Sequence, residues 1–167
     1  MQISIIVAVS ENNCIGKENK LLWQLPVDMA FFKEKTTSHC VLMGSNTYRS
    51  IPTKFRPLPN RVNIVLTRKG LDEHKDNLYI VSSLTAGIDK AKSISEEELF
   101  IIGGADIYKQ SIDLSDRLYL TRVHAQIEGD AYFPSLDLNQ WTLITTKTVS
   151  KDEKNEYDCT FETWEKK

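Results

Sequence analysis

The chain has 167 residues, of which 41% are hydrophobic, 26% charged and 9% aromatic, a balance that excludes fibrous and disordered classes and suits one globular domain with a core of its own. Its 21 basic and 23 acidic residues leave a net charge of −2 with no basic block, so the electrostatic footprint of a nucleic-acid or anionic-membrane partner is missing. Cys14, Cys40 and Cys159 are odd in number and far apart, which argues against a disulfide framework or a zinc knuckle and for a reducing compartment.

Ile3 to Val9 is nearly all apolar and β-branched, as a strand covered on both faces must be. It lacks the basic lead of a signal peptide and the length of a membrane span, so a cytoplasmic protein is expected. The polar stretch Ser10 to Lys20 reads as a long loop. Pro26 suits the first turn of a helix that continues through Lys35, with Val27, Ala30 and Phe31 at helical spacing. His39 to Met43 is a second strand, and after Gly44 a short helix opens at Ser45, whose hydroxyl is expected to cap it. Pro52, Pro57 and Pro59 then enforce an irregular loop.

Arg61 to Thr67 and Leu78 to Val81 are further strands, the first built on Val62, Ile64, Val65 and Leu66. Ser83 caps a helix with Leu84, Ile88 and Ala91 on one face. Leu99 to Ile102 runs into Gly103-Gly104 and a helical pattern through Tyr108 to Ile112. Leu118 and Leu120 alternate with Tyr119 and Thr121 in another strand. Trp141 to Val149 and Tyr157 to Trp164 flank the polar turn Ser150 to Asn155 as a hairpin. Strands alternating with helices predict an α/β fold: one central mixed β-sheet, mostly parallel with a C-terminal antiparallel hairpin, flanked by about four helices in a single domain.

No Gly-x-Ser-x-Gly, Walker, His-Glu-x-x-His or Gly-x-Gly-x-x-Gly pattern occurs. His39, His74 and His124 have no ligand spacing, so no metal site is expected. Gly103-Gly104 stands where a strand meets a helix, and bare backbone beside a helix N-terminus accommodates a phosphate. The alternative is a tight turn that binds nothing. Gly44-Ser45 repeats the junction, and ligands of open α/β sheets gather at the carboxyl ends of strands. Asp28, Phe31 and Phe32 share a helix face. Asp28 is therefore either an acid answering the helix dipole or a desolvated carboxylate on the wall of an apolar pocket, with Trp23 lining the same cavity. Arg68 could take a phosphate and Arg61 a carboxylate, although either could be a solvated surface arginine.

In their order, Ile15-Gly16, Leu22-Trp23-Gln24-Leu25-Pro26-Val27-Asp28, Phe32-Lys33, Val41-Leu42-Met43-Gly44, Thr47-Tyr48-Arg49-Ser50-Ile51, Arg56-Pro57-Leu58-Pro59-Asn60-Arg61, Ile102-Gly103-Gly104, Ile107-Tyr108 and Glu128-Gly129-Asp130 with Phe133-Pro134 resemble dihydrofolate reductase from Ile3 to near the C-terminus. The resemblance implies reduction of 7,8-dihydrofolate with NADPH, hydride passing from nicotinamide C4 to pterin C6 while N5 gains a proton. Asp28 would match the pocket carboxylate that holds the pteridine, with Thr121 supporting it, Trp23 orienting a water, and Leu21 beside them in the catalytic set. Ile6, Ala8, Met29, Phe32, Ile51, Leu58 and Ile102 would line the substrate pocket, and Arg61 would take the glutamate carboxylate.

For the cofactor the resemblance implies Ala8, Ile15, Gly16, Asn19, Lys20, Gly44, Ser45, Asn46, Thr47, Ile102, Gly103, Gly104, Ala105, Asp106, Ile107 and Tyr108 around nicotinamide, ribose and pyrophosphate. Leu66, Thr67 and Arg68 would surround the adenosine 2′-phosphate. It further implies a cis peptide between Gly103 and Gly104, and a mobile flap over residues 10–20. A monomer that binds antifolates such as methotrexate or trimethoprim follows too. Ser45 and Asn46 stand where many relatives carry a basic residue, so NADPH affinity would rest on Arg68. Two other readings compete: a related reductase acting on a ribosylated pyrimidine, and a non-catalytic nucleotide-binding protein.

Overall fold

A computed structural model describes residues 1–167. Ten strands and four α-helices follow one another as β1 (Gln2–Ser10), β2 (Cys14–Gly16), α1 (Pro26–Thr36), β3 (Cys40–Gly44), α2 (Ser45–Ser50), β4 (Val62–Leu66), β5 (Leu78–Val81), α3 (Leu84–Ser93), β6 (Glu98–Gly103), α4 (Ala105–Ser111), β7 (Arg117–Val123), β8 (Ala131–Tyr132), β9 (Trp141–Val149) and β10 (Cys159–Lys166). Eight strands form one sheet in the order β5-β4-β3-β6-β1-β7-β10-β9. Every pair from β5 to β7 is parallel, and β10 joins β7 and β9 antiparallel.

The two-residue period of β1 explains how both faces are filled. Ile5, Val7 and Val9 enter the larger core cluster with Leu42, Ile64 and the α3 residues Leu84, Ile88 and Ala91. Ile6 turns to the opposite face with Val41, Met43, Val65, Phe100 and Tyr119. On that second face α1 buries only Thr36 outright, while Val27, Asp28, Phe31 and Phe32 are half-buried. The inner side of α1 thus borders a cleft rather than a filled core.

Four expectations change. The Ser10–Lys20 segment contains β2, which pairs with β8 in a separate two-stranded sheet. Such short strands have no alternation to read, and their partners lie more than a hundred residues away. Ser45 is the first helical residue and not the cap: Gly44 holds that position, with no side-chain bond to the helix start. Leu118, Tyr119, Leu120 and Thr121 are all buried, because β7 lies between β1 and β10 and both its faces are covered. The last strand begins at Cys159, two residues later than the apolar pattern suggests. By contrast, Ser83 caps α3 as expected, its Oγ accepting from the Ala86 N–H at 3.1 Å.

Candidate active site

β3 and β6 are parallel neighbours, so their glycines arrive side by side at one edge of the sheet. Gly103 has φ +117°, a value that side chains rarely adopt, and a Cβ there would stand 3.1 Å from Tyr108 Oη. A Cβ on Gly104 would stand 3.3 Å from Thr47 Oγ1. The peptide between the two glycines is cis. Tyr108 Oη donates to the Ile6 carbonyl at 2.9 Å, which ties α4 to β1.

Bare backbone next to the first turns of α2 and α4 therefore forms a cradle that a side chain would fill, and this fits a diphosphate. Ser45, Asn46 and Thr47 lie in the first turn of α2, and Ala105, Asp106 and Ile107 in that of α4. Ile107 and Tyr108 are buried, whereas Asn46 and Asp106 are exposed. Leu66 ends β4 on the same edge. Beyond it, buried Thr67 accepts from the Lys69 N–H at 3.2 Å and Arg68 is exposed.

Asp28 stands near this edge, since its charge acts on Tyr108, whose hydroxyl lies against Gly103. Thr121 Oγ1, on β7, donates to Asp28 Oδ1 at 2.7 Å. Burial pushes the Asp28 carboxyl above its usual range, and the Thr121 bond only partly offsets this. Phe32, Ile51, Leu58 and Ile102 pack against the cluster that contains Ile6. Ala8 packs with Trp23, Leu25 and Val123 in an adjoining one. Leu21 and Met29 are 63% and 55% exposed.

Arg61 is only 7% exposed, which removes the solvated-surface alternative. Its Nε donates to the Pro59 carbonyl at 2.9 Å and its Nη1 to Thr36 Oγ1 at 3.1 Å. No carboxylate of the chain pairs with it. Thr36 ends the helix that carries Asp28 in its first turn, and the eight steps from one to the other span about 12 Å along the axis. α1 thus carries an acid near one end and leans on a buried guanidinium at the other. A separate cavity of about 350 Å³ at the amino ends of β3 and β4 touches Arg61, His39 and Glu96 but reaches neither the glycines nor Asp28.

Ile15 and Gly16 lie in β2, with Asn19 and Lys20 exposed beyond it. The segment is held by Asp130: its Oδ2 accepts from the Glu18 N–H at 2.9 Å and its N–H donates to the Gly16 carbonyl at 3.0 Å. Asp130 lies within the Glu128-Gly129-Asp130 motif, which is the one sequence signal for it. Thr36 as the support of Arg61, and Asn155 beneath α1, carry no signal in the linear pattern.

A mixed α/β sheet with a dinucleotide cradle on one edge and a carboxylate-bearing apolar cleft beside it defines a nucleotide-dependent oxidoreductase. The chain belongs to the dihydrofolate reductase family, whose sequence pattern matches residues 2–166. It is 44% identical over 165 residues to the dihydrofolate reductase of Bacillus subtilis, covering 99% of this chain and 95% of that one. To that of Haemophilus influenzae it is 39% identical over 161 residues, 96% of each chain. The solved dihydrofolate reductase of Enterococcus faecalis, complexed with NADP(H) and RAB-propyl, superposes with a TM-score of 0.88 at 36% identity, over 99% of this chain and 96% of that one.

Proposed function

We propose the following residue roles for the reaction of this family, the NADPH-dependent reduction of 7,8-dihydrofolate to 5,6,7,8-tetrahydrofolate. NADPH, when bound, supplies the hydride from nicotinamide C4 to pterin C6. Gly44, Gly103 and Gly104 would leave room for its diphosphate, and Arg68, exposed just beyond β4, would pair with its 2′-phosphate. Asp28 accepts hydrogen bonds from the amino group and ring nitrogen of the pteridine. Because burial favours its protonated form, it promotes protonation of N5 through a water that Trp23 orients. Thr121 keeps the carboxylate aimed into the cleft, and Ile6, Phe32, Ile51, Leu58 and Ile102 exclude bulk water from the ring. Arg61 clamps the glutamate carboxylate with the donors its two protein bonds leave free.

The observation that carries this reading is the Asp28–Thr121 pair, desolvated beside the glycine edge and one helix length from an unpaired buried arginine. Loss of NADPH absorbance on adding dihydrofolate, slowed by about 10²–10⁴ in Asp28→Asn, is the expected result. Undiminished turnover in that variant rejects the assignment. Methotrexate and trimethoprim, whose diamino rings are basic, would occupy the same cleft against Asp28. The chain would act as a single-domain monomer, since one copy supplies Asp28, Thr121, Arg61 and the glycines, and it would do so in the cytoplasm. Sedimentation at working concentration tests the monomer. No helix is long and apolar enough to cross a membrane.

A further inference from the structure

We propose that Asn155, in the β9–β10 turn, is a positioning residue for the reaction: it caps α1 from outside and so sets where Asp28 stands. The inference rests on the reading of Asp28 given above. α1 has no cap of its own, because Leu25 at the cap position makes no side-chain bond and Pro26 follows it without an N–H. The N–H groups of Asp28 and Met29 both reach the Leu25 carbonyl, at 2.9 and 3.1 Å. The Val27 N–H instead donates to Asn155 Oδ1 at 3.1 Å, across 128 residues. Asn155 is 7% exposed.

Its orientation is fixed from behind. Nδ2 donates at 3.0 Å to Asp152 Oδ1, which also accepts the N–H of Lys154 at 2.9 Å and of Asn155 at 2.8 Å. With Nδ2 committed to a carboxylate, Oδ1 must face the helix. The neighbouring Glu156 adds a second hold, its Oε1 accepting from the Gln24 N–H at 2.6 Å and its own N–H donating to the Gln24 carbonyl at 3.2 Å.

The same hairpin reaches Asp28 by a second route. Phe161 of β10 pairs in register with Thr121 of β7, and its ring centroid lies 4.7 Å from that of Phe31 on α1. One hairpin therefore fixes both the backbone just before Asp28 and the strand that carries its hydroxyl partner. The other titratable groups that feel Asp28 are Tyr108 on α4 and Cys159 on β10. Burial raises Tyr108 above its ordinary range, and it pushes Cys159 up to about 11, Asp28 adding to each. Both stay protonated while Asp28 titrates. Asp152, Lys154 and Glu156 are the charged residues around the cap itself.

The test compares Asn155→Ala, the exchange Asp152→Asn with Asn155→Asp, and Asp28→Asn in steady-state kinetics and in the pH profile of hydride transfer. In Asn155→Ala the first turn loosens and admits water. KM for dihydrofolate then rises about fivefold, the effect of one lost helix cap, with KM for NADPH unchanged, and the pH midpoint falls because desolvation is what holds it high. The exchange keeps an acceptor for Val27 but moves a carboxylate to the helix start, so KM stays near that of the parent and the midpoint rises. Opposite shifts at one residue are not what general destabilisation produces.

An unmoved KM and midpoint in Asn155→Ala, whatever its melting temperature, overturns the proposal. If that variant does not fold, an unmoved midpoint in the exchange overturns it. Full turnover in Asp28→Asn would instead reject the reading of Asp28 itself, whereas an inactive Asp28→Asn beside silent Asn155 variants would reject only this inference.

Discussion

A carboxyl group on the wall of an apolar cleft loses more hydration than one hydroxyl restores, so Asp28 holds its proton more tightly in the native state than in the unfolded chain. The native state then binds more protons than the unfolded one as pH rises above the ordinary value of 3.8, and stability falls across that window. Asp28→Asn removes this cost and can still accept the Thr121 hydroxyl. It should unfold at a higher temperature than the parent at neutral pH, with the gap closing below about pH 3.8. Its kcat/KM should meanwhile drop by about 10²–10⁴, the contribution of a positioned acid. Thermal unfolding across pH, set beside turnover, checks both signs. At Arg61, lysine keeps the charge but not the fork that bonds Pro59 and Thr36 and leaves donors for the carboxylate proposed there. Arg61→Lys should raise KM for dihydrofolate about tenfold or more while KM for NADPH stays unchanged.

Two junctions between elements show how the strands are held at opposite ends. At the amino ends of β3 and β6, the Glu96 carboxylate accepts the N–H groups of Cys40, Glu97 and Glu98 and meets His39 Nδ1 at 3.0 Å. Burial alone would raise this carboxyl, but the bonds from His39 and from the backbone hold it below the usual range. Its contribution is present above the ordinary value of 4.5 and is lost as pH falls through the lower native one. Glu96→Gln should therefore cost about 1–3 kcal/mol at neutral pH, with the difference shrinking in acid, as read from urea unfolding at several pH values. At the carboxyl ends, Gly103→Ala would place a Cβ at φ +117° against Tyr108. It should cost about 1–3 kcal/mol and weaken NADPH binding in a fluorescence titration, because the cradle and the Tyr108–Ile6 bond must both give way.

For the molecule as a whole, a ligand that binds only the folded chain adds stability by mass action. NADPH at about a hundred times its Kd supplies roughly 2.7 kcal/mol, which for a chain of this length corresponds to about 5–10 °C in Tm. NADH should give a smaller shift, because it lacks the phosphate assigned to Arg68, and a scan with each nucleotide measures the difference. The main sheet could be read in the linear chain because β1, β3, β4 and β6 are apolar runs bounded by turns, and α3 repeats Leu84, Ile88 and Ala91 on one face. β2 and β8 could not, since two or three residues carry no period and their pairing is settled by distant backbone. Asp28 on a face with Phe31 and Phe32 was visible from spacing. That its carboxyl is desolvated, and that Arg61 is buried without a carboxylate, was not, because burial depends on what other segments deliver.

The amino-acid order by itself determined the periods of strand and helix, the glycines at two strand ends and the acid in the first turn of α1, since each of these follows from local backbone and side-chain geometry. Tertiary structure alone decided that the glycines of β3 and β6 lie side by side, that Asp28 meets Thr121 while Arg61 rests on Thr36, and that Asn155 finishes a helix 128 residues away. Desolvation and hydrogen-bond partnership depend on which segments meet in space, and no local run of residues specifies that meeting.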